Sequence, residues 1–85
     1  KTFIAFVLGS GTDEYGKYAL IEMRNRFKKG DILEVLSPSD SFNKTIKAER
    51  LVNEDGEEIA DAKIVQQKLK LYTSVELSFG DVLRK

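Results

Sequence analysis

The sequence predicts an all-β domain, a small closed or nearly closed antiparallel β-barrel of about six or seven short strands. Three observations predict it. The apolar segments are short and bounded by turn residues, and no long stretch holds a helical period. Several segments alternate apolar and polar residues with period two, as a strand with one buried face does. Gly-Asp or Asp-Gly pairs punctuate the chain at Gly30-Asp31, Asp55-Gly56 and Gly80-Asp81. Closing such strands into a barrel removes most unpaired edges.

Taken in order, Phe3 to Leu8 is a nearly continuous apolar run, which suits a strand covered on both faces. Gly9 to Gly16 follows with three glycines and reads as an exposed loop. Lys17 to Phe27 is the clearest strand. Ala19, Ile21, Met23 and Phe27 share one face, and Glu22, Arg24 and Arg26 the other. A helix is the rival for Tyr18 to Met23, disfavoured by the alternation and by the Gly-Asp downstream. A turn at Gly30-Asp31 leads into Ile32 to Leu36, and the single proline, Pro38, falls in the loop beyond. Asn43 to Val52 is a plausible strand. Asp55-Gly56 is a hairpin signal, because tight turns that match strand twist need positive φ. Glu58 to Ala62 is its short return strand, with a single helical turn as the alternative. Beyond it Val65, Gln67, Leu69 and Leu71 alternate with Lys68, Lys70 and Tyr72. Phe27 to Leu33 and Leu77 to Leu83 share the pattern apolar-x-x-Gly-Asp-[Ile/Val]-Leu, so two strands are launched in the same way.

At 85 residues the chain is expected to be one domain, residues 1–85. A domain of this size buries only about 60–65% of its unfolded surface, so its core is thin. It contains no Cys and no His. That excludes a disulfide framework, a thiol metal site, the commonest general base and any Ser-His or Cys-His pair. The acidic stretch at 53–58 lacks the spacing of a calcium loop, and no cofactor or metal is implied. Lys plus Arg equals Asp plus Glu at 14 each, so no global charge points to nucleic acid or membrane. The apolar runs are too short to span a bilayer, no signal-peptide flanks are visible, and a cytoplasmic protein is expected. The chain begins without Met on what reads as a strand, which suggests a piece of a longer protein.

The candidate binding residues are basic. Arg24 and Arg26 fall on one face about 7 Å apart, with Lys28 and Lys29 at the strand tip, a spacing that suits successive phosphates or carboxylates. Lys68, Lys70 and Arg84 extend a possible basic face. The alternative is that Glu22 and Glu34 consume Arg24 and Arg26 in cross-strand pairs. Asn25 falls on the inward face near the strand end and reads as a hydrogen-bonder there. Asp31 and Asp81 follow Gly in turns, where turn bonding is the expected role. With Phe27, Gly30, Asp55, Gly56 and Gly80 these form the structural turn set. Tyr15, Tyr18 and Tyr72 can stack on bases or a peptide, or simply pack with a wet hydroxyl.

Arg24, Asn25, Arg26, Phe27, Gly30, Asp31, Glu34 and Pro38, then Asp55, Gly56, Ala62 and Gln67, then Gly80 through Arg84, together resemble the C-terminal domain of the collagenase-like peptidase family U32. The resemblance spans nearly the whole chain. Ser39-Asp40 and Val65 depart from the pattern and affect loop shape. The resemblance implies a barrel similar to those of translation factors, at the C-terminal end of a larger protein with an upstream catalytic domain of peptidase type. Members of the family are linked to breakdown of collagen-type protein, others to hydroxylation of tRNA or ribosomal RNA. For this chain it implies an accessory part without chemistry of its own, recognising a protein or RNA substrate beside the catalytic domain. Two further readings stand beside it: an RNA-contact module built on Arg24, Arg26, Lys28 and Lys29, and a structural module for docking or dimerisation, which would leave an exposed apolar patch.

Overall fold

The computed structural model describes residues 2–37, 44–63 and 67–85. The loop around Pro38, with Ser39, Asp40 and Ser41, the expected strand start at Asn43, and Val65 lie outside the described residues. Among the described residues ten strands form: β1 (Phe3–Asp13), β2 (Gly16–Met23), β3 (Phe27–Lys28), β4 (Ile32–Leu36), β5 (Lys44–Lys47), β6 (Arg50–Val52), β7 (Glu58–Ile59), β8 (Asp61–Ala62), β9 (Lys68–Tyr72) and β10 (Val82–Arg84). No helix occurs among the described residues, so none is long and apolar enough to cross a membrane. Eight strands form one antiparallel sheet in the order β5-β4-β10-β1-β2-β9-β6-β7, and β3 pairs with β8 in a second.

The all-β, antiparallel class holds, and the strand pairing does not establish the expected closed or nearly closed barrel of six or seven strands. The strands are more numerous and the ladder does not close among the described residues. The sheet nevertheless curls. β5 sits at one edge beside β4, and β6 near the other beside β9, yet only Ala48 and Glu49 separate β5 from β6. Among the described residues seventeen buried apolar ones, including Ile4, Val7, Ile21, Met23, Phe27, Leu33, Leu51, Leu69, Leu71 and Leu83, fill the concave side. Each such leucine or isoleucine contributes about 1.5–3 kcal/mol by leaving water.

Two further expectations change. The glycine-rich stretch 9–16 is mostly strand: β1 runs to Asp13, and only Glu14 and Tyr15 lie between Asp13 and its partner Gly16. Gly11 belongs in that strand for space, since a Cβ there would lie 2.6 Å from the Tyr18 hydroxyl oxygen. The strand expected through Phe27 stops at Met23. The amides of Arg24 and Asn25 both donate to the Ile4 carbonyl, at 2.7 and 3.1 Å, which ends the ladder. Asn25 is exposed rather than inward, and its Nδ2 donates to the Phe3 carbonyl at 2.6 Å. Phe27 returns to the core on β3.

The hairpin at Asp55-Gly56 joins β6 to β7. Asn53 Oδ1 accepts from the amides of Asp55 and Glu57, and Gly56 takes φ 82°. The Phe3–Leu8 run is not covered on both faces. An irregularity between Phe3 and Ala5 sends both Ile4 and Ala5 inward, and Phe3 stays 42% exposed.

Candidate binding cleft

The basic residues do not converge. Arg24 pairs with Glu22 at 3.0 Å, Arg26 with Asp61 at 3.8 Å, Lys29 with Glu58 at 3.5 Å and Lys70 with Asp13 at 3.9 Å. Arg84 Nε donates to Glu34 at 2.9 Å, and its Nη2 reaches the same oxygen. Glu34 therefore serves Arg84 and neither Arg24 nor Arg26, because β4 lies beside β10 and not beside β2. Lys28 and Lys68 donate their backbone amides to Asp31 and Glu54. Lys68 and Lys70 line a shallow groove with Leu20, Val52 and Glu54, away from Arg26, which sits over β8. Exposed pairs of this kind are worth only about 0.2–1 kcal/mol each, but they leave Arg24, Arg26, Lys29, Lys70 and Arg84 each beside an acid.

What does converge is aromatic. The register between β2 and β9 sets Tyr18 opposite Tyr72, and that between β6 and β9 sets Arg50 opposite Tyr72. The hairpin tip brings Tyr15 over the same place, its amide held by Asp13 Oδ1 at 2.9 Å. Tyr15 meets Tyr72 edge to face with centroids 6.1 Å apart, and Tyr18 is tilted against it at 5.6 Å. The Arg50 guanidinium lies 4.4 Å above the Tyr15 ring, and Lys70 Nζ 4.8 Å above that of Tyr18. Both distances suit cation–π attraction. Tyr72 is buried, whereas Tyr15 is 60% exposed.

Of these, Tyr15, Arg50 and Tyr72 line a cleft of about 380 Å³, completed by Gly16, Lys17, Glu49, Thr73 and Ser74. The Tyr72 hydroxyl donates to Asp13 Oδ2. That bond first, then the Tyr15 amide and, more weakly, Lys70 and Arg50 hold the Asp13 carboxyl below the usual range against the opposing effect of burial. Burial first, and then Asp13, push the Tyr72 phenol up to about 12. Glu49 Oε2 accepts the Ser74 amide at 3.1 Å. Thr73 is buried against the cleft, and its Oγ1 has no hydrogen-bond partner among the described residues.

Such a cleft can bind but has little with which to react. A phenol near 12 is no base at neutral pH, and the chain has no imidazole or thiol. Rigid aromatic faces, hydroxyls and one stacked guanidinium are the groups that recognise extended chains at low entropic cost. The tyrosines were visible in the sequence, but Asp13, Glu49, Arg50 and Thr73 were not. Arg50 reaches Tyr15 only through the β6–β9–β2 order, and no local pattern encodes that order.

The model of the peptidase family U32 C-terminal domain matches residues 1–84. Two crystal structures are similar throughout, both of the C-terminal domain of a Geobacillus thermoleovorans protein assigned to the U32 peptidases. The selenomethionine variant has a TM-score of 0.84 at 30% identity and covers 100% of both chains. The other has a TM-score of 0.83 at 31% identity, over 99% of this chain and 91% of that one. No curated protein matches significantly.

Proposed function

Since the chain belongs to the U32 peptidase C-terminal domains, we propose that it is a non-catalytic accessory module that helps an upstream catalytic domain hold a polymeric substrate, with the tyrosine cleft as the contact surface. The observation that carries this reading is the placement of an exposed Tyr15, capped by Arg50, on a cleft lined by aromatic rings and hydroxyls. The module acts beside its catalytic domain in the cytoplasm.

A polypeptide segment suits the cleft better than RNA. Glu49 and Asp13 stand in or beside it, and Arg50 and Lys70 are each within 4 Å of a carboxylate, so a phosphate backbone would meet as much repulsion as attraction. A peptide can lay ring or aliphatic side chains on Tyr15 and Tyr72 and exchange hydrogen bonds with Thr73 and Glu49.

The test uses the full-length parent protein. Tyr15→Ala with Arg50→Ala is expected to raise KM for an unfolded protein substrate about fivefold to tenfold, the scale of losing one or two such contacts. The kcat, and turnover of a short peptide, should be unchanged. An unchanged KM, or a loss confined to kcat, would sink the reading. Titration with tRNA at several salt concentrations examines the RNA alternative. A log–log slope near about −3, lost in Arg24→Ala plus Arg26→Ala, would replace the peptide reading with it.

A further inference from the structure

A second surface lies at the other end of β1. Because Ile4 and Ala5 both turn inward, Phe3 and Phe6 share the outer face, and Phe6 stands opposite the half-buried Val82 of β10. The Phe79 ring meets Phe6 edge to face at 6.0 Å and remains 72% exposed. Phe79 is not on a loose loop. The Ser78 amide donates to Asp81 Oδ2 at 3.0 Å, the Gly80 amide to the Val7 carbonyl at 3.0 Å, and the Val7 amide to the Asp81 carbonyl at 2.9 Å. A phenylalanine fixed by so many bonds and left in water does not serve this domain's own core.

Nor does the turn require one. The turn at Gly30-Asp31 has the same backbone bonds, and there the corresponding residue is Lys29, paired with Glu58. We propose that Phe3, Phe6 and Phe79 form the surface on which this domain docks against the upstream catalytic domain of the same polypeptide. The existence of that domain rests on the family, and the docking surface is independent of the cleft reading. In a C-terminal domain the rest of the polypeptide joins ahead of β1. Thr2 is fixed there by exchanging backbone bonds with Lys85, at 2.9 Å each way. From Thr2, Phe3 is one residue away and Phe6 at most about 14 Å, so a domain joined there meets the patch at high effective concentration. Asp13, at the tyrosine cleft, is seven residues beyond Phe6, about 23 Å along the strand, so docking leaves the cleft open.

The experiment places benzoylphenylalanine at position 79 of the full-length protein. Photolysis is expected to link it to the upstream domain of the same chain. Linkage between two copies, or no linkage, overturns the proposal. In parallel, Phe3→Ser with Phe79→Ser should speed protease cleavage at the domain junction by about tenfold, the equivalent of roughly one buried aromatic contact. Tyr15→Ala should leave that rate unchanged, which separates failure at this surface from failure at the cleft. An unchanged cleavage rate in the double variant, with its far-ultraviolet spectrum intact, also overturns it.

Discussion

At Gly30-Asp31 and again at Gly80-Asp81 the chain makes the same turn. Both glycines take φ 94°, a region that side-chain-bearing residues avoid. Each Asp carboxylate accepts the amide three residues back, of Lys28 at 2.9 Å and Ser78 at 3.0 Å, and each Asp amide returns a bond to that residue's carbonyl. Each turn then exchanges two backbone bonds with a neighbour, Ala48 for the first and Val7 for the second. Phe27 and Leu77 enter the core before the turns, and Leu33 and Leu83 after them. The side chains around this frame differ. Lys29 is ion-paired where Phe79 is bare. Asp31 holds Lys85 at 2.9 Å, whereas Asp81 is buried with Oδ1 unpartnered among the described residues. The frame is what folding needs, and the tip residue is left free for other uses.

The equivalence is tested hardest at the leucines that follow the turns. Leu33 and Leu83 are both fully buried, so Leu33→Ala and Leu83→Ala should each cost about 2–5 kcal/mol. Leu83 should be at the upper end, since β10 is paired on both sides near the middle of the sheet while β4 has only the edge strand β5 beyond it. Urea denaturation measures both. A cost below about 1 kcal/mol for Leu33→Ala would mean that the first turn launches its strand without anchoring it, and the likeness would be one of backbone alone.

This pair of turns was legible in the sequence because its determinants are local: a Gly for the backbone, an Asp three residues from the amide it accepts, an aliphatic pair to begin the strand. The Asp55-Gly56 hairpin and the inward face of Ala19, Ile21 and Met23 were legible for the same reason. Misreadings came where neighbours decide. Gly9 and Gly11 look like a loop until β1 pairs with β2, and at Gly11 the Tyr18 side chain takes the space. Arg24 to Arg26 continue an alternation that the Ile4 carbonyl breaks by accepting two amides. Glu34 meets Arg84 and not Arg24 or Arg26, because pairing depends on strand order. The tyrosine cleft shows the same divide, with three rings readable as candidates and their partners supplied by tertiary register.

The first turn also gives the fold a response to acid. The Lys28 amide first, and then Lys85, hold the Asp31 carboxyl below its usual range, outweighing the effect of its burial. A depressed carboxyl stabilises the fold above its unfolded pKa, near about 4, and that stabilisation is lost as pH falls through the folded value. Asp31→Asn should therefore flatten the acid side of the stability profile below about pH 4. Lys85→Ala should weaken the same limb by no more than about 0.2–1 kcal/mol, the range of surface pairs. Thermal melts from pH 2 to 7 would show it. An acid limb unchanged in Asp31→Asn would mean that Lys85 and the turn amide do not hold this carboxyl down.

The smallest expected effect bears most on the comparison. If the frame alone is structural, Phe79→Lys should change the stability of the isolated domain by about 0.5 kcal/mol or less, as at an ordinary surface position. The counter-argument is the Phe6–Phe79 contact, since edge-to-face pairs contribute about 0.5–1.5 kcal/mol when well buried. Here one ring is mostly in water, and the turn's three backbone bonds and its Asp81 side-chain bond do not depend on it, so the lower figure should hold. Chemical denaturation of Phe79→Lys beside Lys29→Ala decides the matter. If Phe79→Lys costs more than about 1 kcal/mol while Lys29→Ala costs nothing, the ring is a strut for Phe6 and the two turns differ in how they hold the fold. If both are neutral, the exposed phenylalanine has no structural reason within this domain, and its reason has to be sought in what the domain touches.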